Sequence, residues 1–364
     1  MKVLIINSVR TQKNGITNVI FNYLCALNFF GMTIDYLSIN KPEKEYVEII
    51  EKKGGRLFVI PRLSKNIINY YSRLKQLISQ NKYDIVHIHG NSHTLVLDLL
   101  AAKRAGCKIR IVHAHSTTSK FVLLHKLLAP PFFKLCTHRL ACGYEAGVWM
   151  FGRHKFEIIN NGVDTKAFAY DEVRRKIIRE KIGIQAGVLL GHVGLFSENK
   201  NQSFIVDILK DLNEKGENFY LLLIGDGPTR CAVENYAKES GIRDRIIFTG
   251  NINDVCAYLN AIDIVVMPSF HEGLPLTLIE QQVNGLQCVA SDTITKEVDK
   301  TGNMIFLSLN LSASEWANCV IGINCGMGRA ERSKEAIRRI KSCGYDIITE
   351  AQHLNDYYKA ALMY

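Results

Sequence analysis

Short apolar runs bounded by turn residues alternate with helix-like stretches along this chain, and the alternation breaks once, at Asn160-Asn161-Gly162-Val163-Asp164. Ahead of the break, candidate strands are 3–7, 34–38, 56–60, 85–89, 109–113, 139–142 and 157–159, with helical patterns at 18–28, 70–79, 94–104 and 145–151. Behind it, candidate strands are 188–193, 219–224, 245–249, 262–267 and 287–290, with helices at 201–213, 229–240, 255–261 and 275–284. Strands separated by helices pair in parallel, and a parallel sheet is covered on both faces. The expectation is an α/β protein of two doubly wound units of similar size, joined near residue 165. Residues 330–364 read as strongly helical. Such sheets bind ligands at the carboxyl ends of their strands, so a cleft between the two units is the expected site.

A chain of 364 residues has ample core for two domains. Its composition, 47% apolar and 22% charged, is that of a globular protein. No run of 18 apolar residues predicts a membrane span. Residues 1–7 read as a first strand rather than a signal peptide. Ten cysteines lie scattered without metal-type spacing, as expected of reduced thiols in a cytosolic protein. Charge is unevenly divided. Residues 1–160 hold 23 Lys and Arg against 9 Asp and Glu, while the remainder holds 22 against 26. A basic half suits an anionic partner. No nucleic-acid recognition fold is visible, so an anionic membrane surface is the expected one. The stretch 120–134, short, apolar and flanked by lysines, suits a bilayer interface equally with a buried helix.

The most informative chemistry lies in Pro268-Ser269-Phe270-His271-Glu272-Gly273-Leu274-Pro275-Leu276-Thr277-Leu278-Ile279-Glu280. It follows an apolar run and reads as strand, loop, helix, with Pro275 as the first helical residue. Free N–H groups at the helix start, around Gly273 to Leu276, suit a phosphate. Glu272 stands ahead of that anion site and Glu280 about one and a half turns inside the helix, placed to accept hydroxyl protons from a ribose. An ordinary loop glutamate and a solvated helix glutamate is the plainer reading of this stretch taken alone.

Other constellations follow the same strand–loop–helix logic. Arg10 to Asn18 links the first strand and helix, with Gly15 permitting close backbone approach. It lacks the Gly-x-Gly-x-x-Gly of dinucleotide binding. His113 and His115 share one face of the fifth strand and its end, and His87 and His89 form a similar pair. A core histidine or a metal ligand is the competing reading, and metal is set aside because no third ligand stands at a telling spacing. Gly191-His192-Val193-Gly194-Leu195-Phe196-Ser197-Glu198-Asn199-Lys200-Asn201 opens the second half. Gly225-Asp226-Gly227-Pro228 and Phe248-Thr249-Gly250-Asn251 close later strands. Asp-x-Asp, which would hold a divalent ion against a diphosphate, does not occur.

In order along the chain, these segments resemble the landmarks of retaining glycosyltransferases of the GT-B fold, family four, with Glu272 and Glu280 matching their Glu-x7-Glu motif. The resemblance is greatest to the bacterial exopolysaccharide and capsule branch. It implies two Rossmann-like domains facing each other across a cleft. Residues 1–165 would form the acceptor-side domain, rejoined by a last helix at about 345–364, and 166–344 the nucleotide-sugar domain. It further implies that Glu272, His115 and Lys200 are catalytic. His115 would touch the transferred sugar and Lys200 the leaving diphosphate. Gly15, Gly194, Gly250, Gly273, Leu274, Pro275, Leu276 and Glu280 would bind the donor. Family members carry an arginine where Leu195 stands, so one phosphate-binding guanidinium is missing. The implied reaction moves a sugar from a nucleotide diphosphate sugar, a UDP-sugar by expectation, to a lipid-linked saccharide. No metal or cofactor is needed, and the enzyme is cytoplasmic and peripheral at the inner membrane face. A nucleotide-sugar epimerase of the same build, or a non-catalytic partner subunit, is the alternative.

Overall fold

The computed structural model describes residues 1–27, 31–61, 66–119, 122–323 and 328–363. The chain forms two compact units, Met1–Gly162 with Gly344–Tyr364, and Val163–Cys343.

Seven described strands build the first unit: Lys2–Asn7 (β1), Thr33–Ser38 (β2), Leu57–Val59 (β3), Ile85–His89 (β4), Ile109–Ala114 (β5), His138–Ala141 (β6) and Glu157–Ile158 (β7). They pair in parallel in the order β3-β2-β1-β4-β5-β6-β7. The central strands are apolar at consecutive positions because helices cover both faces. Val3, Leu4, Ile5 and Ile6 are all at most 3% exposed. Asn14 starts the helix Gly15–Ala26 by accepting the Thr17 N–H, which satisfies one orphan donor of its first turn. Helix Ile67–Asn81 buries Tyr70, Leu74 and Ile78, four residues apart and therefore on one face.

The last helix, Ile347–Met363, belongs to this unit and packs against Gly15–Ala26. It buries Ile347, Ala351, Leu354, Tyr358 and Ala361. Asn160 holds the chain's return: its N–H donates to Glu350 Oε2 at 2.8 Å, its side-chain amide to Gly344 O at 3.1 Å, and its carbonyl accepts from Tyr23. Gly162 lies so close to this helix that a Cβ would stand 2.6 Å from Ile347 Cα. The helical stretch 330–364 is thus two helices, Arg329–Ser342 and Ile347–Met363, parted at Gly344 with φ 76°.

The second unit repeats the plan with Val188–Val193 (β8), Phe219–Ile224 (β9), Ile246–Gly250 (β10), Ile264–Met267 (β11), Gln287–Ser291 (β12) and Met304–Leu307 (β13). Their order is β10-β9-β8-β11-β12-β13, all parallel. Its core gathers Ile205, Leu209, Leu221, Val266 and the fully buried Trp316. Strand β13 and helices Lys44–Lys52, Glu172–Lys181 and Ala313–Ile321 are additional to those read from sequence. Helix Glu172–Lys181 has no full apolar stripe. Arg175 and Arg179 tie it down instead, with guanidinium contacts of 2.6 and 3.0 Å to the two carboxylate oxygens of Asp263.

Candidate active site

Strands β8 and β11 are neighbours from which the chain winds outward in opposite directions, so the loops after them leave the sheet side by side. Those loops carry Lys200 and Glu272. The loop after β8 is pressed against Gly225-Asp226-Gly227. Gly194 N–H donates to Ile224 O and Phe196 N–H to Asp226 O, both at 3.0 Å. A Cβ on Gly225 would lie 2.0 Å from Gly194 O, and one on Gly227 2.3 Å from Phe196 O; both glycines have φ above 130°. Beyond a single turn at Glu198–Lys200, the lysine stem folds back across Gly194, 3.5 Å from where a Cβ would be.

Asn199 braces the two loops. Its carbonyl accepts the Phe270 N–H at 2.8 Å, and its side-chain amide donates to His271 O at 2.7 Å. This brings Lys200 Nζ to 2.7 Å from Glu272 Oε1, with both side chains largely buried. Asn199 had no role in the reading of the sequence, because its contacts are to backbone distant in the chain.

After Glu272 come the exposed Gly273, with no atom within 4 Å of a built Cβ, and the partly buried Leu274. The helix runs Leu276–Val283, so Pro275 is its N-cap rather than its first residue. Its ψ of 103° is extended, and its carbonyl already accepts the Leu278 N–H at 3.0 Å. The first N–H groups, of Leu276 and Thr277, have no intrahelical acceptor, and no acidic residue sits in this first turn. Glu280 lies one turn further on. Burial pushes its carboxyl up to about 8, and among the described residues no donor reaches it. Gly250 ends β10 with φ 67°; its carbonyl takes the Gly225 N–H at 3.0 Å. Leu195 is 60% exposed. His192 is buried under Gly194 and kept neutral, with Nδ1 3.0 Å from Val266 O.

In the first unit, Gly15 is exposed and opens its helix, and no protein atom would meet a Cβ there. Packing therefore does not require that glycine. His115 follows β5. Its backbone N–H donates to Asn91 Oδ1, its Nε2 stands 2.8 Å from His89 Nδ1, and burial lowers it to about 3. Parallel pairing of β4 and β5 sets His87 and His89 beside His113, a grouping that sequence spacing concealed. In the stretch 120–134, Lys120 and Phe121 lie outside the described residues, as do Asn28 and Tyr364. Leu123 and Leu127 are 73% and 66% exposed, whereas Phe132 is fully buried. Among the described residues no helix is long and apolar enough to cross a membrane.

The family model for Glycosyltransferase Family 4 matches residues 13–167, and that for Glycosyl transferases group 1 matches 187–323. The putative glycosyltransferase EpsF of Bacillus subtilis is 30% identical over 355 residues, covering 92% of this chain and 90% of the relative. The chain is a family-four glycosyltransferase. An Escherichia coli relative, UDP-Gal:alpha-D-GlcNAc-diphosphoundecaprenol alpha-1,3-galactosyltransferase, is 31% identical over 65% of this chain and 66% of its own. Among solved structures, Anabaena HepE in complex with UDP superposes with a TM-score of 0.80 at 17% identity, covering 99% of this chain and all of the other. WaaG, a glycosyltransferase involved in lipopolysaccharide biosynthesis, superposes at 0.70 with 15% identity, covering 98% and 99%. Both support the GT-B fold for this glycosyltransferase. Its second unit presents Lys200, two helical amides without intrahelical acceptors, and the carboxyl groups of Glu272 and Glu280, a set able to bind an anion and hydroxyl groups together.

Proposed function

We propose that this glycosyltransferase works with retention and without a metal on the diphosphate, moving a sugar from a UDP-sugar to a lipid-linked saccharide in surface polysaccharide synthesis. Residues 166–344 take the nucleotide sugar, and 1–165 with 345–364 take the acceptor. The observation that carries the reading is the Lys200–Glu272 pair at 2.7 Å beside the amide-bearing turn Gly273–Leu276. A diphosphate draws Lys200 to its own oxygens and leaves Glu272 facing the donor sugar, where it stabilises positive charge developing at the ring. Departure of the diphosphate sets the barrier, so Lys200 and the Leu276 and Thr277 amides supply the dominant electrostatic term. Glu280 accepts from the ribose hydroxyls, the backbone near Gly194 and Gly250 lines the nucleotide, His115 orients the sugar, and the Gly15 helix start serves the phosphate and acceptor side.

The UDP named for HepE and the UDP-galactose and diphosphoundecaprenol named for the E. coli relative support the donor and acceptor classes. The exposed Leu123 and Leu127, with Lys126 and the basic first half, support a peripheral position at the inner face of an anionic membrane. A second reading, a partner subunit without activity of its own, draws on Leu195, which offers phosphate no guanidinium. Nucleoside diphosphate release from UDP-sugars, with and without membrane extract, tests the proposal. Acceptor-dependent release that Glu272→Ala abolishes is expected. Release without acceptor, or none alone while a second protein restores it, overturns it.

A further inference from the structure

Four histidines stand in a row on one face of the first sheet. The register sets His89 opposite His113, with His87 and His115 continuing the row at either end. Ring centroids of His87 and His113 are 5.4 Å apart, those of His89 and His113 5.1 Å. His87, His89 and His113 are at most 4% exposed, and one ring nitrogen from each lies within 4.8 Å of the others.

Buried ring nitrogens ordinarily have partners. His93, in the same unit, is typical: its Nδ1 meets His125 O at 2.7 Å and its Nε2 meets Met150 O at 2.8 Å. The row differs. Among the described residues, His87 Nε2, His89 Nε2 and His115 Nδ1 have no hydrogen-bond partner, and the His113 ring has none beyond a backbone interaction with Ile159. The opposite nitrogens are held, His87 Nδ1 2.6 Å from the Tyr358 hydroxyl and His89 Nδ1 2.8 Å from His115 Nε2. A ring with one nitrogen oriented by a neighbour and the other left bare is how a metal-ligating histidine is prepared.

We propose that His87, His89 and His113 bind one late first-row transition-metal ion of the zinc class. Three imidazoles without a carboxylate do not suit magnesium or calcium, which take oxygen ligands, whereas nitrogen donors suit zinc, cobalt, nickel and copper. Ligation at His89 Nε2 keeps the proton on His89 Nδ1, which donates to His115 Nε2. His115 then carries its own proton on Nδ1, so the ion sets the tautomer of the residue assigned above to the donor sugar. Metal binding does not depend on that assignment.

The test uses tag-free full-length protein stripped by chelator and titrated with Co2+, followed by Zn2+. The expected result is one Co2+ per chain with visible d–d absorption, displaced by Zn2+, and a higher melting temperature with either ion. His113→Gln and His87→Gln abolish the absorption, and His353→Gln keeps it. X-ray absorption on the zinc-loaded wild type reads a shell of three imidazole nitrogens, which keeps the test decisive if a variant fails to fold. Absence of d–d bands in folded wild type, bands unchanged in His113→Gln, or sulfur in the metal shell overturns the proposal.

Discussion

Lys200 and Glu272 neutralise each other at 2.7 Å, and neither side chain is fully enclosed. Lys200→Ala is expected to lower kcat on the order of a hundredfold, as loss of one preorganised charge contact does, and to lower the melting temperature as well, because Glu272 is left largely buried without its partner. An unchanged kcat in a UDP-release assay would sink the role. Leu195→Arg is expected to lower the Kd for UDP, measured calorimetrically, by adding a fork of donors beside the diphosphate. Glu280 lies in the helix that follows Glu272 and carries a titratable signature of its own. Its carboxyl is raised from 4.5 to about 8, so the protonated form suits the fold. Stability from this group is full below about pH 4.5 and is lost as pH rises toward 8, by at most about 1.4 kcal/mol per unit. Melting curves should therefore show wild type losing stability relative to Glu280→Gln between pH 6 and 8. If ribose hydroxyls need the carboxylate, UDP affinity rises over the same interval in wild type and stays flat in the variant. Equal slopes would remove Glu280 from the ribose. At this scale Glu272, Glu280 and Lys200 were legible as residue types in order along the chain. The 2.7 Å pairing and the Asn199 brace were not, because both depend on loops some seventy residues apart meeting at adjacent strand ends.

Elements read best where burial is two-sided. Strands β1, β4, β8 and β9 are buried at nearly every position, and helix Ile67–Asn81 carries its buried residues at fourfold spacing. Helix Glu172–Lys181 was illegible because arginines, not a hydrophobic stripe, fasten it to Asp263. Pro275 fell one position outside its helix because φ near −65° fits a cap with extended ψ as well as a first helical residue. Gly227 has φ 157° and backbone at 2.3 Å, so Gly227→Ala strains the turn and pushes on Phe196. A loss of about 2–4 kcal/mol is expected, read as a lower denaturation midpoint. Gly15→Ala meets no protein atom. It should leave stability unchanged and alter only ligand binding, measured as KM for the acceptor.

For the whole molecule, the chain divides into two units, and its final helix returns to the first. It buries Ile347, Leu354 and Tyr358, and Tyr358 touches His87. At about 2 kcal/mol for each large buried side chain, its loss rivals the whole stability of a domain. Truncation after Cys343 is expected to abolish the first unit's cooperative melting while the second still melts. Survival of both transitions would contradict this. Sedimentation with anionic vesicles, compared between wild type and Leu123→Glu with Leu127→Glu, tests the membrane surface; binding lost in the variant and at high salt is expected.

Sequence alone determined the α/β class, the two alternating halves and the residue types available for phosphate and sugar, because strand period, turn residues and helix starts are local properties of the chain. Tertiary structure decided what is adjacent. Which strands flank the reversal of strand order, which loops meet there, and which histidines share a sheet face all follow from pairing between segments distant in the chain. Local spacing carries no record of that pairing.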